Sequence, residues 1–192
     1  IVILISYPLL FETDFILNLW LKDFPYSALI FTKLAIVLCI VDSLSYSFMA
    51  AVLATGKIKI YSLTVGGLII LNIPLSYYFL HFDFPPQITV VVSISISIIA
   101  FFVRLYFYSK YYTRSKLKVS KDILIPAIIV LLCSIVLPCL VIINYESSLL
   151  RFIISSLTSI IGVILFTYLF GINLQEKKIL KKILTKYKIK LI

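Results

Sequence analysis

Asp42 is the residue best placed to do chemistry in this sequence, because it lies near the midpoint of a long apolar segment, residues 26–54. A carboxylate within a bilayer needs a polar cavity or a partner, and such acids often mark ion or substrate pathways. Ser45, Tyr46 and Met49 share its side of a helix at 100° per residue. We expect Asp42 to couple transport to a proton or a cation. The alternative is a structural hydrogen bond, for instance to a tyrosine.

Two further segments carry stripes of hydroxyl side chains with an arginine near one end. One stripe covers about 80° of the segment 86–108 and comprises Thr89, Ser93, Ser97 and Arg104. The other covers about 100° of the segment 149–171 and comprises Arg151, Ser155, Thr158, Ser159 and Gly162. We expect both stripes to face an aqueous, cationic interior that accepts an anionic, hydroxyl-rich substrate. The alternative is that small polar residues mediate helix packing and the arginines extend to lipid headgroups.

Two prolines lie in the middle of apolar segments, Pro74 within 61–81 and Pro138 within 122–143. Each removes a backbone hydrogen bond and frees the carbonyl four residues earlier. We expect kinks that serve as hinges, although proline is frequent in membrane helices for other reasons. Asn72, two residues before the first proline, is a further candidate for a substrate cavity.

Catalytic, metal and cofactor sites are not expected from this sequence. Cys39, Cys133 and Cys139 lie within apolar segments and show no CxxC or Cys/His spacing, and His81 is the only histidine. We expect the cysteines to be small packing residues. An enzyme would also need a large extramembrane loop or clustered carboxylates, whereas the apolar segments hold one clearly intramembrane acid.

The composition predicts a polytopic membrane protein of the all-α class. The chain is 62% hydrophobic and 14% charged, whereas soluble domains are about 45–50% apolar and about 25% charged. The full-length apolar segments are 26–54, 61–81, 86–108, 122–143 and 149–171. Residues 1–10 are too short to span a bilayer, so we expect a first helix that is truncated, about six transmembrane helices in all, and an interfacial continuation over 11–21.

The basic residues predict the orientation in the membrane. Fifteen of the 18 lysines and arginines fall near 57–59, 104–121 and 177–190, which the positive-inside rule assigns to the cytoplasm. We therefore expect a cytoplasmic C-terminus and no nucleic-acid partner, despite the net charge of +10. Residues 1–172 would form one transmembrane lobe. The tail 173–192 would be a basic amphipathic helix on anionic lipid or, alternatively, a frayed basic segment.

Four short runs add a family signal: Leu19 to Pro25, Ala54 to Tyr61, Gly66-Gly67 and Leu71 to Tyr77. They resemble the Wzx-type O-antigen and oligosaccharide flippases of the multidrug/oligosaccharidyl-lipid/polysaccharide exporter superfamily. The resemblance is densest over about 12–110. Beyond residue 110 only the helix pattern and the basic end agree.

The resemblance implies a MATE-like transporter with two six-helix lobes around a central cavity, of which this chain would be the C-terminal lobe. It implies that an undecaprenyl-pyrophosphate-linked oligosaccharide crosses the bacterial inner membrane by alternating access, in lipopolysaccharide, capsule or exopolysaccharide synthesis. The implied partners are membrane lipids, an N-terminal lobe of the same protein and glycan polymerase machinery. The alternatives are a drug/cation antiporter or a peptidoglycan-precursor flippase of the same superfamily, and last a membrane enzyme of envelope polysaccharide synthesis.

Overall fold

The computed structural model describes residues 2–112, 124–146, 148–172 and 177, and this part of the chain is helical, with no strand. In chain order the helices are α1 (Val2–Phe11), α2 (Thr13–Leu21), α3 (Tyr26–Ala54), α4 (Ile58–Ile70), α5 (Asn72–His81), α6 (Ile88–Tyr111), α7 (Ile125–Ser134), α8 (Val136–Asn144) and α9 (Leu149–Phe166). A π-helical turn, Thr167–Gly171, follows α9 directly. The predicted all-α class is therefore confirmed.

Within the described ranges, five helical spans are long and apolar enough to cross a membrane: Tyr26–Ala54, Ile58–His81, Ile88–Tyr111, Ile125–Asn144 and Leu149–Gly171. They coincide with the five apolar segments predicted from the sequence, within three residues at each end. Helices are expected here because lipid offers the backbone no hydrogen-bond partners, so the segment must satisfy its own amides. The chain thus has the helices of a multi-pass membrane protein.

The first two helices, α1 and α2, meet at an angle of 74° and together form either a broken span or a re-entrant pair. The amide of Glu12 donates to the Pro8 carbonyl at 3.0 Å, and the Glu12 carbonyl accepts from the Ile16 amide at 2.9 Å. The backbone bonds therefore continue across the bend. Trp20, in the segment 11–21 that was expected at the membrane interface, lies near the end of α2 and is 80% exposed.

Both predicted proline sites coincide with breaks in long spans. The helix breaks at Leu71, three residues before Pro74, and at Ile135, three residues before Pro138. Proline cannot donate a backbone hydrogen bond to the carbonyl four residues earlier, so the ladder is interrupted at that point. It resumes at once, since the Leu75 amide donates to the Leu71 carbonyl at 3.2 Å. Whether either break acts as a hinge stays a prediction.

The structure divides into two compact units, Ile1–Ser120 and Lys121–Ile192. In the first unit, α3 packs most extensively on α6, and α4 and α5 pack on the same helix. An apolar cluster fills one end of this packing and comprises Val52, Tyr61, Val65, Ala100 and Phe107. The Tyr112 hydroxyl also donates to the Ala51 carbonyl at 3.2 Å, which ties the ends of α3 and α6 together.

In the second unit, α9 packs on α7 and α8 through a face of small residues. A Cβ added at Gly162 would lie 3.2 Å from Leu137 Cδ1 and 3.5 Å from the Ser134 carbonyl oxygen. Glycine therefore permits the close approach of α8 and α9 at this point.

The basic loop after α6 and the predicted amphipathic tail lie outside the described residues, apart from Lys177. Its ammonium donates to the Leu169 carbonyl at 3.4 Å and lies 5.1 Å from the centre of the Tyr168 ring.

Candidate substrate-binding site

The face of α3 that carries Asp42 lines a cavity of about 410 Å³ in the first unit. Leu38, Asp42, Tyr46 and Met49 follow one another at helical spacing and supply this wall. The opposite wall comes from α6, where Ser93, Ile96, Ser97, Ala100 and Arg104 share one face of the helix. Ile69 of α4 and Asn72 of α5 complete the lining of what we name the polar cavity.

Arg104 is the main charged group on the α6 wall. Its side chain is only 7% exposed, and its Nη1 donates to the Ser45 hydroxyl across the contact between α3 and α6. The Nε atom is buried and has no hydrogen-bond partner among the described residues. A buried cation with an unsatisfied donor is costly. Because Arg104 also lines the cavity, its charge would stabilise a ligand with an anionic group there.

Asp42 supplies the negative charge of the same cavity and is half-buried. Within the described residues it forms no ion pair or hydrogen bond, so the structural hydrogen bond to a tyrosine is not seen. Tyr46, the tyrosine on its own face, is 57% exposed. The cavity therefore contains one acid and one base that do not pair with each other.

Asn72 lies at the break between α4 and α5 and joins a chain of hydrogen bonds. The Ser76 hydroxyl donates to Asn72 Oδ1 at 3.0 Å, and Asn72 Nδ2 donates to the Ser93 hydroxyl at 2.8 Å. The Ser93 hydroxyl donates in turn to the Thr89 carbonyl at 2.9 Å. The kink of the second span thus places an amide opposite the hydroxyl stripe of α6.

A second cavity, of about 780 Å³, adjoins the first and is lined mainly by aliphatic and aromatic residues. We name it the apolar cavity; its lining includes Ala35, Leu38, Ile69, Ile70, Asn72, Ile73, Ser76, Tyr77, Leu80, Thr89, Val90 and Ser93. Four residues line both cavities: Leu38, Ile69, Asn72 and Ser93. The two cavities therefore meet at the Asn72–Ser93 hydrogen bond, with the charged residues on one side of it only.

The structure brings five of the predicted side chains to the polar cavity: Asp42, Asn72, Ser93, Ser97 and Arg104. The other predicted stripe belongs to the second unit. Ser155 and Ser159 are fully buried there, and their hydroxyls donate to the Phe152 carbonyl at 3.1 Å and the Ser155 carbonyl at 2.7 Å. Both hydroxyls thus donate their hydrogen bonds to carbonyls of their own helix, which is compatible with serines that pack at a contact between membrane helices.

Arg151 lies at the start of α9, close to the loop that precedes the helix. Its Nη1 donates to the Tyr145 carbonyl at 3.2 Å, and its backbone amide donates to the Ser148 hydroxyl at 3.2 Å. The side chain thus joins the helix start to the preceding loop. This geometry gives Arg151 a local structural partner that the sequence pattern did not predict.

The sequence analysis did not predict the surroundings of two residues, Ser45 and Glu12. Ser45 was placed beside Asp42, but its bond to Arg104 depends on how α3 and α6 are rotated against each other. Glu12 belongs to the segment 11–21 that was expected at the membrane interface, whereas it is fully buried at the bend between α1 and α2. The signal in the sequence was the spacing of four residues from Pro8 to Glu12, whose amide bonds to the Pro8 carbonyl.

Metal-binding potential is low in the part of the chain that the structure describes. That part contains no group of three or more histidine, cysteine, aspartate or glutamate side chains able to hold a metal ion. All three cysteines fall within it and are free thiols, with Cys39 exposed and Cys133 and Cys139 half-buried.

In comparisons with known proteins, no protein-family model, no curated protein and no solved structure matches the chain.

Proposed function

We propose that this chain is part of a membrane transporter that moves a lipid-linked oligosaccharide across the bacterial inner membrane by alternating access. One observation carries the proposal: the polar cavity, with Asp42 and Arg104, adjoins the larger apolar cavity at Asn72 and Ser93. A lipid-linked sugar needs both environments side by side, because its headgroup is charged and hydroxylated while its anchor is hydrocarbon. The resemblance to Wzx-type flippases supports the same assignment and the MATE-like lobe.

Each part of the polar cavity has a role in this proposal. The Arg104 guanidinium binds phosphate oxygens, since a planar guanidinium suits phosphate geometry. Ser97 and the Asn72 amide bind sugar hydroxyls. Asp42 takes up a proton or a cation as the cavity opens to each side, which couples movement to an ion gradient.

The breaks at Leu71 and Ile135 give the proposed transporter its hinges. Helix segments joined at an interrupted ladder can change their mutual angle by small backbone rotations. Pro74 lies two residues after Asn72, which bonds to Ser93, so bending there would alter the junction of the two cavities.

A drug/cation antiporter is the second candidate, and the unpaired Asp42 carboxylate favours it. A carboxylate without a partner in a half-buried cavity attracts an organic cation directly. Arg104 argues against a purely cationic substrate, because it lines the same cavity and would repel one.

The test is deletion of the gene in its native bacterium, followed by measurement of surface polysaccharide and of the lipid-linked glycan. We expect surface polysaccharide to be lost and lipid-linked glycan to accumulate in the cytoplasmic leaflet. Restoration by the intact gene is the control. Normal surface polysaccharide, together with increased sensitivity to cationic drugs, would overturn the proposal in favour of the antiporter.

A further inference from the structure

The polar cavity is lined by two side chains of opposite charge that do not form an ion pair with each other. No salt bridge joins Asp42 to Arg104 or to any other residue in the described ranges, although both side chains line the same cavity. Arg104 is more than nine-tenths buried, and its Nε has no hydrogen-bond partner in the described chain. The site is therefore built to meet a ligand with charged groups of its own.

The hydrogen bond between Arg104 and Ser45 explains how the two charges stay apart. Ser45 follows Asp42 by three residues, so the two side chains leave α3 about 60° from each other at 100° per residue. Arg104 is held by Ser45 through Nη1, which leaves its Nε as the unsatisfied donor. The guanidinium is thus held at Ser45, while the carboxylate leaves α3 at a different angle.

A ligand with a single charge would satisfy only one of these groups. A phosphate on Arg104 would be repelled by the Asp42 carboxylate, and an amine on Asp42 would be repelled by the guanidinium. Water screens these forces poorly in a half-enclosed cavity between membrane helices. A ligand that carries both an anion and a cation is attracted by both groups.

We propose that the polar cavity binds a zwitterionic group, with a phosphate or carboxylate on Arg104 and a primary ammonium on Asp42. The volume of about 410 Å³ suits a group of sugar size. Ser97 and Asn72 provide hydrogen-bonding groups for hydroxyls between the two charges. The claim that the transported substrate carries an amine near its phosphate rests on the proposed function. The claim that the cavity binds such a zwitterionic group does not.

The experiment compares three probes by titration calorimetry against the full chain in lipid nanodiscs, at pH 7 and constant ionic strength. O-phosphoethanolamine carries both charges, ethyl phosphate carries the anion alone, and ethanolamine carries the cation alone. We expect O-phosphoethanolamine to bind at least tenfold more tightly than either of the other two. Binding is measured without transport, so its failure is distinguishable from failure of the proposed function.

Two variants assign the charges to their residues. Asp42→Asn should remove the advantage of O-phosphoethanolamine over ethyl phosphate, and Arg104→Gln should remove its advantage over ethanolamine. Asp83→Asn is the matched control, because Asp83 is exposed and its φ of 57° is one that asparagine adopts readily. If Arg104→Gln does not fold, the comparison of Asp42→Asn with Asp83→Asn decides the outcome.

Four results would overturn the proposal. Equal affinities for ethyl phosphate and O-phosphoethanolamine would make the cavity a simple anion site. Equal affinities for ethanolamine and O-phosphoethanolamine would make it a cation site. Binding of none of the three probes, or an unchanged preference in Asp42→Asn, would show that the two charges do not form a ligand site.

Discussion

Arg104 of α6 donates a hydrogen bond to the hydroxyl of Ser45 on α3, and both residues are buried. The bond joins the two helices with the most extensive contact in the first unit. It also positions the guanidinium at the edge of the polar cavity. One interaction therefore serves both helix packing and the placement of charge.

Ser45→Ala should destabilise the first unit, because it leaves Arg104 Nη1 without its acceptor. We expect a loss of about 0.6–1.7 kcal/mol in the free energy of unfolding, the range of interhelical hydrogen bonds in membrane proteins. Denaturant unfolding in detergent, followed by circular dichroism, measures this loss. Ser47→Ala is the control, since Ser47 is exposed on the same helix. Equal stability of the two variants would contradict the prediction.

Asp42→Asn should leave the protein inserted and folded but slow glycan export. Asparagine keeps the size of the side chain and removes the charge that the proposed transport mechanism needs to exchange a proton or bind a cation. We expect export to fall by roughly fivefold or more, the low end of the usual coupling between two ligands. Pulse-labelled surface polysaccharide measures the rate, with Asp83→Asn as the control. Wild-type export at wild-type protein level would return Asp42 to a structural role.

The ends of the second span, Ile58–His81, should lie on opposite sides of the membrane. In a background without the three native cysteines, we expect Phe84→Cys to react with an impermeant thiol reagent added to the periplasmic side. Lys57→Cys should react only after the cells are opened, because the positive-inside rule places it in the cytoplasm. Both positions are exposed. The reverse labelling pattern would invert the predicted orientation.

Gly162→Val should destabilise the second unit by overpacking. The added side chain would meet Leu137 and the Ser134 carbonyl at the contact of α8 with α9. Overpacking of this kind costs about 1–3 kcal/mol in the free energy of unfolding. Gly66→Val makes the same change in α4, where an added Cβ meets nothing within 4 Å. A thermal unfolding midpoint equal in the two variants would show that the contact tolerates the larger side chain.

The sequence by itself determined the helical spans and the residues that share one face of a helix. Span positions depend on local apolarity and length, so hydropathy located all five within a few residues. The helix breaks also follow from local chemistry, because proline removes a hydrogen bond wherever it occurs in a helix. The grouping of Ser93, Ser97 and Arg104 on one wall of the polar cavity depends only on helical periodicity.

The tertiary structure alone decided which faces meet. Asp42, Asn72 and Arg104 come from three helices, and their arrangement around one cavity depends on the rotation of each helix about its axis. Periodicity carries no information about that rotation. Two similar hydroxyl stripes therefore have different surroundings: Ser97 lines a cavity, whereas Ser159 is fully buried. The bond between Arg104 and Ser45 and the burial of Glu12 have the same cause. Each depends on contacts between segments, which local sequence does not encode.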